Sequence, residues 1–377
     1  MIQLTPPMGW NSWNTFGPDI NEAVILETAD CMVESGLLDC GYNYLVIDDC
    51  WSLKERDKNK RLVPDPEKFP HGMKYVADYV HSKGLKFGMY SCAGNLTCAC
   101  YPGSYEHEFI DAATFAEWGV DFLKYDYCFH TNIVPGAILY RRMGLALENC
   151  GRDILFSACS WGSDETHTWI KQSGASMWRS TGDIFDTWES IKDLTKQQLK
   201  LHPYNGVGCF NDMDMLVVGM YGKGNVGLKG CNDTQYRTHF AIWAFMGSPL
   251  MIGCDIRNMT PATKEILTNK ELIAINQDPL CRQPYQMHGI WRKEDVLCYA
   301  RNLSNGDIAI GLFNLRSDKA EARFNLDELG LPLSTGKTLA MTDIFTGKSV
   351  NTANGTVIWE LESYDSAVFR AKLVDIV

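Results

Sequence analysis

The sequence contains no run of eighteen apolar residues, the length a helix needs to cross a bilayer, so it carries no membrane span. It also lacks a basic surplus: 35 lysines and arginines against 46 aspartates and glutamates leave a net charge of −11. Nothing therefore supplies the positive face that nucleic acid requires. The opening residues, MIQLTPPMGW, have neither the basic n-region nor the apolar h-region of a secretory leader. That predicts a cytoplasmic protein, or an exported one whose leader was removed. No CxxC pair occurs, although there are 14 cysteines, from Cys31 to Cys298. Most read as small buried apolar residues. A zinc site gathering Cys98, Cys100 and Cys128 is the minority reading, because few histidines accompany them and no finger-like spacing appears. One or two disulfides are compatible with the chain, and the missing leader argues against them. Five Asn-x-Ser/Thr matches, such as Asn95 and Asn258, read as chance in an unexported chain. There is no internal repeat and no low-complexity linker.

What is present is alternation. Up to about residue 280, short apolar runs alternate with amphipathic stretches. The runs are PMGWNSW, YNYLVIDDC, LKFGMYSC, VDFLKYDYC, DILFSAC, SMWRSTGDI, GVGCFNDMDML and SPLMIGCDI. Between them, AVILETADCMVESG places Ile25, Ala29, Met32 and Val33 at helical spacing and stops at Gly36. MKYVADYVHSKG places Val76, Tyr79 and Val80 on one face and stops at Gly84. Eight strands alternating with helices over this length predict an α/β architecture, a closed (β/α)₈ TIM barrel. An open doubly wound sheet would want a glycine-rich phosphate turn after the first strand, and GWNSWNTFG is not one. From about residue 283 the texture changes to two-residue alternation in VLCYARNL, DIAIGLFNL, TVIWELES and SAVFRAKL. The turn signals Ser304-Asn305-Gly306 and Asn354-Gly355 separate these runs. The expected organisation is a catalytic barrel over 1–282 and an antiparallel β-sandwich over 283–377.

Polar residues concentrate at the C-terminal ends of the barrel strands. Asp48 and Asp49 end one run, Lys124 and Asp126 another; Arg179 and Asp183, then Asp212 and Asp214, end two more, and Trp10 and Trp13 end the first. In a barrel these ends converge on one mouth, where barrel enzymes do their chemistry. Lys124, Asp126 and Cys128 share one strand face by alternation. Buried charges are costly unless paired, so a gathering of this size points to a functional site. Carboxylates with one lysine and one arginine suit sugar hydroxyls, and tryptophan or tyrosine suits the C–H face of a sugar ring. Glycoside hydrolysis needs two carboxyl groups across the scissile bond. Residue types alone leave the pair open among Asp48, Asp49, Asp126, Asp183 and Asp214. Blander readings stand beside these. Asp183 or Asp186 suits a helix N-cap before the helical stretch IFDTWESI. Asp212 suits an ordering role in its own loop, and Trp10 suits the core as well as a subsite. Ser160 suits plain packing with a hydrogen bond.

The motifs PPMGWNSWNTF, YLVIDDCW, FPHGMKYVADYVHSKGLKFGMY, WGVDFLKYDYC, WRSTGDIFDTWESI, NDMDMLVVGM and AINQDPL, in this order, resemble glycoside hydrolase family 27 in its short bacterial form. That family holds α-galactosidases and α-N-acetylgalactosaminidases. The resemblance implies a barrel followed by a β-sandwich, and a retaining double displacement with neither metal nor cofactor. It implies Asp126 as nucleophile and Asp183 as acid/base. It implies Asp48 and Asp49 on the sugar's 4- and 6-hydroxyls, Lys124 on its 3- and 4-hydroxyl side and Arg179 towards the 2-substituent. Trp13 becomes an apolar wall, Tyr90 a neighbour of the nucleophile, and Asp214 and Met215 part of the pocket lining. Cys98 and Cys128 match a family disulfide, whose state a reducing cytoplasm leaves open.

One departure concerns the sugar. Where typical α-galactosidases of the family read Cys-Glu-Trp, with the glutamate on the 2-hydroxyl, this chain reads Cys159, Ser160, Trp161. A serine there, with Ser163 three positions on, resembles the N-acetylgalactosaminidases, where small residues leave room for an acetamido group. The expectation is a galactose-releasing exo-glycosidase, with N-acetylgalactosamine or dual specificity as the alternative. The partner expected is a small carbohydrate, with no nucleic acid and no membrane. A homo-oligomer is compatible with the sequence.

Overall fold

The computed structural model describes residues 4–287, 293–352 and 354–376. The expected barrel and sandwich ranges include 1–3, 288–292, 353 and 377, which lie outside the described residues. The chain folds into two compact units, one of residues 1–231 with 249–268, the other of 232–248 with 269–377.

The first unit is built on eight parallel strands: β1 (Met8–Asn11), β2 (Tyr44–Val46), β3 (Lys86–Cys92), β4 (Phe122–Asp126), β5 (Leu155–Cys159), β6 (Met177–Arg179), β7 (Phe210–Asp212) and β8 (Leu250–Ile252). Their order in the sheet is 7-6-5-4-3-2-1-8. The chain just past β7 returns to β8. Leu216 N–H donates to the Met251 carbonyl (2.7 Å), and Gly253 N–H donates to the Leu216 carbonyl (2.9 Å). These bonds close the ring, so the (β/α)₈ barrel is the observed fold. All eight expected runs contain one of these strands. The strands are nearly continuous in buried residues, as both faces of a barrel wall demand. Gly88 in β3 marks a tight spot. A Cβ there would meet Val46 Cγ2 at 2.7 Å and Phe122 Cβ at 3.1 Å, so only glycine lets β2, β3 and β4 lie side by side.

The helices follow their apolar periodicity, except at Val33, which is exposed. Helix Glu22–Glu34 starts at Asn21, whose side chain accepts from Val24 N–H, and buries Ile25, Ala29 and Met32. Helix Gly72–Ser82 buries Met73, Val76, Ala77 and Val80. Among the described residues no helix is long and apolar enough to cross a membrane.

In the second unit a six-stranded antiparallel sheet faces a two-stranded one. The strands are β9 (Tyr285–Gln286), β10 (Val296–Asn302), β11 (Ile308–Asn314), β12 (Ala320–Asn325), β13 (Lys337–Asp343), β14 (Ser349–Asn351), β15 (Thr356–Leu361) and β16 (Ser366–Asp375). The larger sheet runs β14-β13-β16-β11-β10-β9, and β12 pairs with β15. Ala300, Ile310, Leu312, Phe324, Leu339, Met341 and Phe369 share one buried cluster, the sandwich core. The β10–β11 turn is the expected one: Gly306 takes φ 87°, and Asp307 N–H donates to Asn305 Oδ1 at 3.0 Å. Helix Asp233–Met246, which leads into β8, falls within this second unit.

Candidate active site

Parallel register sets the first layer of the site. Tyr90 in β3 lies opposite Lys124 in β4, and Cys92 lies opposite Asp126. Lys124 lies opposite Ser157 in β5, and Asp126 opposite Cys159. Side chains two apart on β4 point to the same side, and both Lys124 and Asp126 line a cavity of about 330 Å³. That cavity also takes Trp13, Asp48, Asp49, Tyr90, Cys98, Cys128, Cys159, Trp161, Arg179, Asp183, Asp214 and Met215. Every residue that the resemblance assigned to the nucleophile, the acid/base or the sugar contacts lines it, with one exception.

The exception is Ser160. It is fully buried and does not line the cavity. Thr166 Oγ1 donates to the Ser163 carbonyl (2.5 Å). The Ser160 hydroxyl, 2.7 Å from the same oxygen, is therefore its donor. The strand has already ended at Cys159, so strand alternation no longer decides which way residue 160 points. Trp161 takes φ 57°, an uncommon conformation for a bulky residue, and its ring comes to the cavity while Ser160 turns into its own loop. The serine expected at the sugar's 2-position packs against Thr166 in its own loop.

Asp126 sits at the bottom, 5% exposed. Its Oδ2 accepts from the Tyr90 hydroxyl (3.1 Å) and its Oδ1 from Tyr127 N–H (2.9 Å). Burial pushes its pKa up to about 6, against the pull of Lys124. Lys124 Nζ donates to Asp48 Oδ2 at 2.8 Å and stands 5.4 Å from the Tyr90 ring centre. Burial disfavours the ammonium, yet the charges of Asp48 and Asp126 more than offset it and raise its pKa. Asp48 accepts also from Asn11 Nδ2 (2.8 Å) and from Asp49 N–H (3.0 Å). Asp49 accepts from Ala99 N–H (3.0 Å) and Cys50 N–H (2.7 Å). Burial raises its pKa despite these donors.

A second cluster gathers on Arg179, whose Nη2 lies 3.0 Å from Asp183 Oδ1 and 3.1 Å from Asp214 Oδ2. The same nitrogen donates to the Gly182 carbonyl at 2.6 Å. Asp214 takes φ 81°, and its two oxygens accept from Ile184 N–H and Met215 N–H, each at 2.7 Å. The two clusters differ in exposure: the Asp183 side chain is 64% exposed. Asp183 is not a helix cap, and neither is Asp186. Helix Trp188–Gln198 is capped by Thr187, whose side chain accepts from Ser190 N–H. Asp212 stays outside the lining and accepts from Asp214 N–H (2.9 Å), ordering the loop. Burial raises its pKa to about 6. Trp10 is core: it is fully buried, with Nε1 donating to the Cys254 carbonyl at 2.8 Å.

A disulfide joins Cys98 to Cys128, whose Cα atoms are 5.1 Å apart. It ties the loop that carries Ala99 to the end of β4. Ligand atoms of Cys98, Asp126 and Cys128 lie within 4.8 Å of one another, but disulfide sulfurs are not thiolates, so this is no metal-binding set. Cys100, the third cysteine of the zinc reading, is a free exposed thiol. The lining also includes Asn14, Ile184, Phe185, Asn225 and Val226. Asn14 sits in the one-turn helix Trp13–Phe16, and the other four belong to loops, where no periodicity announces a direction. The one signal was position, since Ile184 and Phe185 directly follow Asp183.

Comparison with known proteins gives a consistent result. The family model described as alpha galactosidase A matches residues 5–278, and that of the alpha galactosidase C-terminal beta sandwich domain matches residues 293–371. The chain is 45% identical over 369 residues to alpha-galactosidase 3 of Arabidopsis thaliana, covering 98% of this chain and 82% of that protein. The solved alpha-galactosidase I of Mortierella vinacea superposes with a TM-score of 0.90 at 34% identity, covering 98% and 97% of the two chains. The Saccharomyces cerevisiae alpha-galactosidase solved with raffinose superposes with a TM-score of 0.87 at 30% identity, covering 98% of each chain.

Proposed function

Since the chain belongs to glycoside hydrolase family 27, the alpha-galactosidase family, we propose that it is a retaining exo-α-galactosidase that removes terminal α-linked galactose from oligosaccharides or glycoconjugates. The observation that carries this reading is the pairing of a buried carboxylate with an exposed one around a single cavity. Asp126 is fixed by two donors at the bottom, and Asp183 stands where the cavity opens.

In the first step an Asp126 oxygen attacks the anomeric carbon. The bond to the leaving oxygen breaks, and Asp183 gives that oxygen its proton. In the second step Asp183 takes a proton from water, the water oxygen attacks the same carbon, and the ester to Asp126 is broken. Two inversions return the original configuration, which requires carboxyl groups roughly 5–5.5 Å apart. Arg179 holds Asp183 from one side and is itself balanced by Asp214. The Lys124–Asp48 pair and Asp49 offer donors and acceptors to the galactose hydroxyls, and Trp13 and Trp161 offer apolar walls. Galactose is preferred to N-acetylgalactosamine here because the case for the latter rested on Ser160 and Ser163, neither of which lines the cavity, and the Ser160 side chain is turned to Thr166. The substrate is a carbohydrate.

The test is Asp126→Ala assayed on nitrophenyl α-galactoside, with and without azide. Turnover is expected to fall at least about a thousandfold. Azide should restore it in part and give the β-galactosyl azide, since a small anion then attacks where the carboxylate stood. Undiminished turnover without azide would sink the assignment.

A further inference from the structure

The cavity lining is graded in exposure. Asp48, Asp49 and Asp126 are 2%, 2% and 5% exposed, whereas Phe185 is 45% exposed. A group that protonates the departing oxygen has to stand on the side from which the leaving group departs, so the open rim around Asp183 is the leaving-group side. Phe185 lies two residues from Asp183 and lines the same cavity. Among the described residues it is the one exposed large apolar side chain in that lining.

A lone phenylalanine on a surface needs no explanation. This one sits on a backbone pinned at successive positions. Ile184 N–H donates to Asp214 Oδ2 (2.7 Å) and Phe185 N–H to Ser190 Oγ (2.9 Å). Asp186 N–H donates to the Val226 carbonyl (3.1 Å), and Thr187 N–H to the Phe185 carbonyl (2.7 Å). The ring is thus held at the mouth on a fixed base, next to the proposed proton donor. Asn225, also exposed and lining the cavity, brings an amide to the same rim. Its own N–H is fixed to the Thr15 carbonyl at 3.1 Å. An aromatic face beside an amide matches a pyranose ring, which has an apolar C–H face and hydroxyls around its edge.

We propose that Phe185 is the platform for the leaving-group sugar, a specificity residue that favours α-galactosides of saccharides over those of small alcohols. The proposal rests on the α-galactosidase reading and adds what lies beyond the scissile bond.

The test compares kcat/KM on galactosyl-α-1,6-glucose with kcat/KM on methyl α-galactoside, whose leaving group is too small to reach a platform. Phe185→Ala should lower the ratio of the two constants about three- to tenfold, the range an aromatic contact supplies. Phe185→Trp, which keeps a flat face, should hold it. A ratio unchanged in Phe185→Ala, or one that falls as far in Phe185→Trp, overturns the proposal. A wild-type enzyme inert on both substrates instead defeats the α-galactosidase reading, and the platform with it.

Discussion

The Lys124–Asp48 pair allows the energetics of the site to be measured directly. Its atoms are 2.8 Å apart, and the two side chains are 14% and 2% exposed. Removing one partner of a buried pair costs about 3–5 kcal/mol, because the other charge stays buried without compensation. Asp48 keeps two further donors, Asn11 Nδ2 and Asp49 N–H, so Lys124→Met should cost less, about 2–3 kcal/mol. Methionine retains most of the lysine stem, which limits the packing loss. Asp48→Asn leaves the ammonium facing Asp126 alone and should cost about 2 kcal/mol. In the double variant neither charge remains, so its loss should fall short of the sum by about 1.5 kcal/mol or more. For a protein of this size 1 kcal/mol corresponds to about 2 °C in Tm, so Lys124→Met should melt about 5 °C below wild type. Thermal unfolding of the four proteins at pH 7, followed by calorimetry, measures the cycle. Losses that add within about 0.5 kcal/mol would refute the reasoning, since the two charges would then be independent.

Three further predictions concern two single residues. Asp126 must be ionised to attack, and burial holds its pKa at about 6, so kcat/KM should fall on the acid side with a midpoint about there; a midpoint near 4 would show a solvated nucleophile. The same raised pKa makes the folded chain bind this proton more readily than the unfolded one, so the carboxylate costs stability above pH 6. Asp126→Asn should therefore melt higher than wild type at pH 7, by a margin that shrinks as pH falls from 6 to 4. Ser160→Ala should leave the preference for galactose over N-acetylgalactosamine within about twofold while costing about 1 kcal/mol for the lost bond to Thr166. A tenfold change in preference would return Ser160 to the substrate.

The barrel was legible because its logic is periodic. Four of the eight apolar runs ended in charged residues, and those ends must meet once eight strands close, whatever the length of each strand. That length was not legible: SMWRSTGDI and GVGCFNDMDML each hold only a three-residue strand, because pairing stops where the wall begins to open into loops. The inward set of β4 followed from alternation alone, and Lys124 with Asp126 is where alternation placed them. Ser160 failed for a related reason. It lies one residue beyond β5, where backbone conformation and not strand parity sets direction, and Trp161 with its positive φ takes the inward place. Phe185 and Asn225 were missed because a loop residue reaches a cavity through its pinning bonds, here Phe185 N–H to Ser190 Oγ and Asn225 N–H to the carbonyl of Thr15, a residue far off in sequence. Four sandwich strands, β9, β12, β13 and β14, went unnamed. Among them, β12 fills two of its three buried positions with alanine, a weak apolar signal, β13 buries Thr338 and Asp343 beside Leu339 and Met341, and β9 and β14 have only two and three residues.

The order of the parallel sheet has a consequence for synthesis. β1 pairs on one side with β2 and on the other with β8, and Leu250 is made 242 residues after Met8. At roughly 5–20 residues per second, β1 waits about 12–50 seconds on the ribosome with one edge unpaired. That edge is a template for any other extended chain nearby, so the nascent protein is most exposed to mispairing at its beginning and is sealed only when β8 emerges.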